Sequence, residues 1–471
     1  MEEFDYLNNN LKELIIKFED NLSKGKDVFF DSEEIVDIID YYFDTNQKSK
    51  IRSSIALAQN LYPNDTEVII RKAQYISISK NPERAIAFLE KYKSDTIRQE
   101  SSLIFALAKL YSQAGMNEKA IETYKYVLEI DKEYIEVYHL LGEEYIVNKD
   151  YEEAVKHYQK LLTEEPDDEF ALTSYAYAAQ FLDDTDTPIQ FLKNLCKQNS
   201  FSEQNWIAYG LLLYYLENYY DAITAFDLAI AIEDQDTTAH IYKGQSLISL
   251  ANYDAGIISL EDALKITPRE PVITYFLGKA YEKQNKYKKA ITYYKRCLKY
   301  DKNSTEPLTS LAMCYFEINE FALGEPYIKK AIEIDPKNAY NRLSYAEMLY
   351  KEGYIDQAEE LYQALYDEGE ELAAVTINWA LSMVANKRLM DAIHLLRETI
   401  DANKFEEPSV YFILIEIASK EPYLRNHLED YLFKLFLEFD VSLEMLKEYC
   451  PSLLENPIYE TLIKTYIDEK D

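Results

Sequence analysis

The chain has 471 residues, with 50 lysines and arginines against 84 aspartates and glutamates, for a formal charge of −34. Such a charge repels polyphosphates and anionic lipid surfaces, which argues against nucleic acid and membrane surfaces as partners. Only 10 glycines and 13 prolines, beside 48% hydrophobic residues, predict a helical chain with ample core rather than turn-rich β structure.

Residues 1–31 predict a helical extension that caps the rest of the chain, with Leu11, Leu14, Ile15, Phe18 and Leu22 on one stripe. Their opening, MEEFDYLNNNLKELIIKFED, has neither the basic start nor the long apolar run of a secretory signal. The longest nearly uninterrupted apolar run, WIAYGLLLYYL from Trp206 to Leu216, is far too short for a bilayer. Cys196, Cys297, Cys314 and Cys450 are scattered without a CxxC pair, and read as reduced core residues of a cytoplasmic protein.

From residue 101 the sequence repeats every 34 residues. A small residue recurs as Ala108, Gly142, Ala176, Gly210, Gly244, Gly278, Ala312, Ala346 and Ala380. A second recurs as Ala120, Ala154, Ala222, Gly256, Ala290, Gly324, Ala358 and Ala392, with Pro188 standing in once. Two helices joined by a short turn approach closely only where side chains are small. Large rings at a fixed offset then fill the wider part of the seam: Tyr111, Tyr145, Tyr281 and Tyr315 on first helices, Tyr124, Tyr158, Phe226, Tyr294 and Tyr362 on second ones. Pro166, Pro268 and Pro336 fall where a second helix should stop.

Two weaker copies precede this run: 32–65, with Tyr42, Ala58 and Pro63, and 66–100, with Ala73, Ala85 and one extra residue. The expected organisation is therefore an extension at 1–31, about eleven units over 32–406, and a degenerate repeat with a helical cap over 407–471. In unit 169–202 the second helix is expected to begin at Pro188, as its first residue, with a local irregularity.

The spacing resembles the tetratricopeptide repeat (TPR), W-x2-L-G-x2-Y followed by A, F, A and P. Unit 135–168 carries it as Tyr138, Leu141, Gly142, Tyr145, Ala154, Tyr158, Leu161 and Pro166. The chain as a whole resembles large bacterial TPR proteins, notably of the Bacteroidota. The resemblance implies an all-α, right-handed superhelical solenoid of helix-turn-helix repeats, whose inner wall comes from places 2, 5, 9, 12 and 13 of each unit.

In units 169–202, 203–236 and 237–270 that frame selects fifteen residues, none of them charged. They include Phe170, Tyr177, Gln180, Phe181, Ile207, Leu211, Tyr214, Tyr215, Ile241, Gln245 and Ile248, and Lys279 lies in the next unit. The first four units instead place Glu33, Asp40, Asp44, Glu67, Lys109, Glu136 and Glu143 there. An uncharged aromatic wall is the expected peptide-binding surface, because exposed apolar patches mark partner sites and tyrosines give rigid contact plus a hydroxyl. Gln180 and Gln245 are expected to bond the backbone of an extended segment. The alternative is that these residues pack on each other or on a terminal helix, as Ala374, Ile377, Leu381, Val384 and Ala385 are expected to do under the C-terminal cap. One TPR subtype grips the carboxylate tail of chaperones through a basic clamp, and this strip lacks that basic set.

The stretch from Leu277 to Lys302 concentrates nine cations against two acids. Shifting by 34 sets Lys283, Lys286 and Lys299 opposite Glu317, Glu320 and Glu333, and Lys288, Lys295 and Arg296 opposite Asp254, Glu261 and Asp262. The stretch therefore reads as structural, relieving repulsion between acidic neighbours.

Catalysis has no signature. His139, His157, His240, His394 and His427 form no HExxH, and no GxxxxGK or GxGxxG phosphate cradle occurs. No cofactor and no metal are expected. The expected function is a non-enzymatic scaffold that binds an extended or helical segment of a protein partner in its groove. The competing reading is homotypic assembly, with the groove receiving a segment of a second copy or the chain's own terminus.

Overall fold

The computed structural model describes residues 9–24, 29–92, 100–369, 372–401, 408–420, 424–439, 441–454, 459 and 463. Residues 93–99 of the second repeat, the side chain of Leu22 and most of the predicted last helical stretch lie outside them. Among the described residues there are helices and turns and no strand. The chain divides into two compact units, residues 1–246 and 247–471, with the division inside helix Thr237–Ser249.

The first unit begins with helix Asn9–Lys24, which lays Leu14, Ile15 and Phe18 against Ile35, Ile38 and Tyr42. Helix pairs come next: Ser32–Asp44 with Lys48–Leu61, Thr66–Ser79 with Pro82–Leu89, and Ser101–Gln113 with Asn117–Ile130. Ile135–Val147 pairs with Tyr151–Glu164, Glu169–Ala179 with Asp186–Gln198, and Glu203–Tyr215 with Tyr219–Ile232. In the second unit Tyr253–Ile266 precedes Pro271–Lys283 with Tyr287–Tyr300, Thr305–Glu317 with Phe321–Ile334, and Ala339–Lys351 with Ile355–Glu368. Leu372–Ala385 with Leu389–Asp401, Pro408–Lys420 with Arg425–Glu438, and the short helices Leu443–Tyr449 and Pro451–Leu454 complete it. Within each unit most consecutive helices pack on one another, and several first helices also touch the first helix of the next repeat. The fold is an all-α solenoid.

Sequence chemistry explains where helices start and stop. Asp65, Asp168, Ser202, Asn218 and Asn338 each precede a helix and accept a hydrogen bond from a backbone N–H of its first turn. Asp31 forms a full capping box with Glu34. Pro166, Pro268 and Pro336 stand two residues beyond their helices, as the repeat predicts.

The seams hold the small residues as expected. Ala108, Ala120, Ala154, Ala176, Ala222, Ala290, Ala346 and Ala358 are fully buried. Tyr124, Tyr158, Phe226, Tyr294 and Tyr362 are buried beside them. All four cysteines are free and buried, and burial pushes the Cys196 and Cys450 thiols up to about 12.

Three expectations need correction. In unit 169–202 the second helix starts at Asp186, so the buried Pro188 is its third residue, where a missing N–H costs nothing because the first-turn donors have no partner within the helix. None of the six cation–acid pairs predicted around 277–302 forms, and no described carboxylate is within 4.0 Å of any of those nine cations. Their side chains reach other groups: Lys289 stands 4.9 Å over the Tyr281 ring, Lys295 5.2 Å over Tyr315, and Arg296 donates to the Pro268 carbonyl at 2.9 Å. Leu381, expected under the C-terminal cap, remains 43% exposed.

Candidate functional site

The first helices of three repeats carry the predicted strip in the first unit. Helix Glu169–Ala179 supplies Phe170 and Tyr177, with Gln180 and Phe181 just beyond its end. Phe170, Tyr177 and Phe181 are 47%, 40% and 48% exposed, although large rings favour the interior. Helix Glu203–Tyr215 supplies Tyr214 and Tyr215, both half-buried, and Thr237–Ser249 supplies Ile241 and Gln245.

Ring contacts connect most of these residues. Tyr151 stacks on Phe181 at 4.2 Å, and Phe181 meets Tyr177 edge-on at 5.4 Å. Tyr177 meets Tyr215 at 6.3 Å, and Tyr215 meets Tyr214 at 5.8 Å. Tyr214 continues to Tyr219 at 5.8 Å and Tyr242 at 5.2 Å. Edge-to-face pairs of this kind each add about 0.5–1.5 kcal/mol beyond burial, so the cluster is stiff as well as apolar. Burial and the neighbouring tyrosines push the Tyr214 hydroxyl up to about 12, which keeps it a neutral donor. It donates to the Gln245 side-chain oxygen at 2.8 Å.

Other predicted residues have different surroundings. Ile207 and Leu211 are 6% and 3% exposed and belong to the core, because helix Glu203–Tyr215 is apolar on nearly every side and packs on several neighbours. Gln245 is buried with its oxygen accepting from Tyr214, and Gln180 donates to the Tyr177 carbonyl at 2.9 Å. Both glutamines therefore engage the chain itself. Phe170 lies 4.4 Å from the His139 ring. Ile248 and Lys279 belong to the second compact unit, where Lys279 stands 5.7 Å over Tyr275.

Tyr151, Tyr219 and Tyr242 were outside the predicted set and belong to the cluster. They occupy none of the five inner-wall places, so only the density of tyrosine in this segment pointed to them. A pocket of about 610 Å³ adjoins the cluster, lined by Tyr151, Tyr175, Phe181, Leu182 and Pro188 among others, where the irregular turn of unit 169–202 leaves space.

No group of three or more His, Cys, Asp or Glu among the described residues is placed to hold a metal ion. His139 and His157 lie against rings: His157 stacks on Tyr145 at 5.4 Å, and burial holds its imidazole below the usual range. No helix among the described residues is long and apolar enough to cross a membrane.

Comparison with protein-family models agrees with this architecture. Tetratricopeptide-repeat family models match residues 111–176, 273–304 and 305–338. The TPR repeat-containing protein YpiA of Bacillus subtilis is 22% identical over 365 residues, spanning 77% of each chain. The BBSome complex member BBS4 homolog of Drosophila melanogaster is 24% identical over 270 residues, 52% of this chain and 54% of that one. Among solved structures, YrrB, titled a TPR protein with an unusual peptide-binding site, aligns with a TM-score of 0.32 at 21% identity, over 38% of this chain and 93% of its own. Over residues 111–176 and 273–338 the chain carries tetratricopeptide repeats, in keeping with its 34-residue period and buried seams.

Proposed function

We propose that the chain is a non-enzymatic interaction scaffold, and that an extended or helical segment of a partner protein docks on the tyrosine cluster of the first unit. The observation that carries this reading is the exposure of Phe170, Tyr177 and Phe181 beside the half-buried Tyr214 and Tyr215. Rigid rings left in water, with their bases fixed by edge-on contacts, lose little entropy when a partner covers them. The BBS4 homolog that this chain resembles is by name a BBSome complex member, which favours an assembly role over a catalytic one. Gln180 and Gln245 serve the cluster by fixing it, and affinity comes from ring burial.

Exposed positions test this without endangering the fold. Bait protein carrying Tyr177→Ser/Phe181→Ser is compared with wild type in affinity capture from the native cell. Loss of one reproducible partner, with an unchanged circular dichroism melt, is expected. Recovery of the same proteins in the same amounts by both baits contradicts the reading.

A further inference from the structure

A second surface of the first unit has different chemistry. Helices Ser32–Asp44, Thr66–Ser79 and Ser101–Gln113, the first helices of three successive repeats, border an open pocket of about 650 Å³. Its depth is apolar, with Ile70, Phe105 and Leu110 among the buried residues that line it. Ile78 stands at its edge, 66% exposed.

Two cations line this pocket and both are engaged. Arg71 holds Asp40 through two bonds of 2.6 and 2.9 Å and reaches Glu67 at 2.8 Å. Lys109 pairs with Glu136 at 3.1 Å and stands 5.0 Å over the Phe105 ring. Asp44 also lines the pocket, exposed, and makes no ion pair among the described residues. Three carboxylates, Asp40, Asp44 and Glu67, thus line the pocket with two cations, and Glu136 beside it engages Lys109. An anionic ligand finds its potential partners already neutralised, whereas a cation finds Asp44 and the second oxygen of Glu67, the one that Arg71 does not hold, open.

We infer that this pocket seats a basic amphipathic segment of a partner protein, with an apolar side chain against Ile70, Phe105 and Ile78 and lysine or arginine side chains against Asp44 and Glu67. The inference rests on the reading of the chain as an interaction scaffold, but it uses residues separate from the tyrosine cluster. The charge of −34 attracts cationic segments to the whole molecule; the apolar floor and the placed carboxylates make this pocket the place where they stay.

The probe is a fluorescein-labelled, end-blocked peptide of about twelve residues built from Lys and Leu. One companion replaces Lys by Glu, another replaces Leu by Ser, and fluorescence anisotropy with the full chain reads binding of all three. The Lys–Leu peptide should bind at least about tenfold tighter than either companion and weaken with added salt. Asp44→Lys/Glu67→Lys should weaken it about tenfold or more, and Ile78→Ser, at an exposed site, about threefold. Glu129→Lys/Glu133→Lys, the same charge change elsewhere, and Tyr177→Ser/Phe181→Ser should bind as wild type does.

Equal binding of the Lys–Ser peptide, or equal losses in the pocket and control variants, overturns the inference, because either reduces the binding to general attraction. Tight binding of the Glu–Leu peptide overturns it in favour of an anionic ligand. A loss confined to Tyr177→Ser/Phe181→Ser moves the basic segment to the tyrosine cluster; the pocket assignment then fails while the proposed function stands.

Discussion

A β-carbon built on Gly142, Gly210 or Gly278 falls 2.5, 2.7 or 2.5 Å from the ring of Tyr158, Phe226 or Tyr294 respectively. The ring and the missing carbon are one packing unit, sixteen residues apart in each case. Gly278→Ala should therefore cost about 1–3 kcal/mol in chemical denaturation, as overpacking does. Adding Tyr294→Leu should recover part of that loss relative to the sum of the two single changes. Strict additivity contradicts the seam. This pairing was legible in the sequence because both partners recur in phase.

Lys295 was not legible in the same way. Its ammonium stands 5.2 Å over the Tyr315 ring, so reach and direction decided its neighbour rather than the 34-residue offset to Glu261. Glu282 offers a second test at this scale. Desolvation raises its carboxyl above the ordinary range, while the Tyr294 hydroxyl bond and Lys279 and Lys283 offset part of the rise. A raised acid means the fold binds more protons than the unfolded chain, so stability falls as pH rises through the interval between the unfolded and folded pKa values. Glu282→Gln keeps an acceptor for Tyr294 and removes the charge. Thermal melts should show it at least as stable as wild type at neutral pH, with a shallower decline above the ordinary carboxylate range; a clear destabilisation at neutral pH contradicts this.

The turn inside each repeat is the determining feature at the scale of elements. Its closing residue takes a left-handed conformation at Asn46, Gly115, Lys149, Glu217, Ala251, Asn285, Asn319, Gly353 and Lys387. The next N–H bonds back to a carbonyl five residues earlier, as Asp150 does to Tyr145 and Asn218 to Leu213, closing a Schellman-type end. Only glycine adopts this backbone without cost, and other residues lose about 1 kcal/mol there. Glu217→Gly should therefore raise stability by up to about 1 kcal/mol and Gly115→Ala lower it by a similar amount, read from denaturation midpoints. Changes of the opposite sign contradict the turn.

The repeats 66–100 and 169–202 have no left-handed residue in this turn. They are also the ones whose pattern departs from the rest, through an added residue and through Pro188. Sequence therefore located the irregularities. It missed the start at Asp186, two residues ahead of the proline, because Asp184 caps the turn, accepting from the Asp186 and Thr187 N–H groups and from the Thr187 hydroxyl at 2.6 Å. Pro326, inside helix Phe321–Ile334, carried no signal that the repeat frame could interpret.

Across the whole molecule, charge and aromatic exposure govern behaviour. A chain at −34 repels itself, so the melting temperature should rise as salt increases from about 20 to about 300 mM, within the range where screening acts over molecular dimensions. A fall would mean that attractive surface pairs outweigh repulsion. The strip at 169–249 was legible as an uncharged run on first helices, and its exposed members Phe170, Tyr177 and Phe181 are consistent with that. Burial of Ile207 and Leu211 was not, since an apolar residue at an inner-wall place reads alike whether a neighbour covers it or not. The pocket between 40 and 134 was hidden for the opposite reason. Its inner-wall places are charged, so a search for an uncharged wall passes over it, and only coordinates reveal that Arg71 and Lys109 are neutralised above an apolar floor.

The most direct test of partner docking on the tyrosine cluster is site-specific photocrosslinking in the native cell. A benzophenone side chain is placed at Phe181, and in a control at Tyr220, which is 74% exposed on a second helix. The account predicts one discrete adduct from position 181, absent from position 220 and lost when Tyr177→Ser is added. No adduct at 181 above the control, in a protein that melts as wild type does, contradicts it.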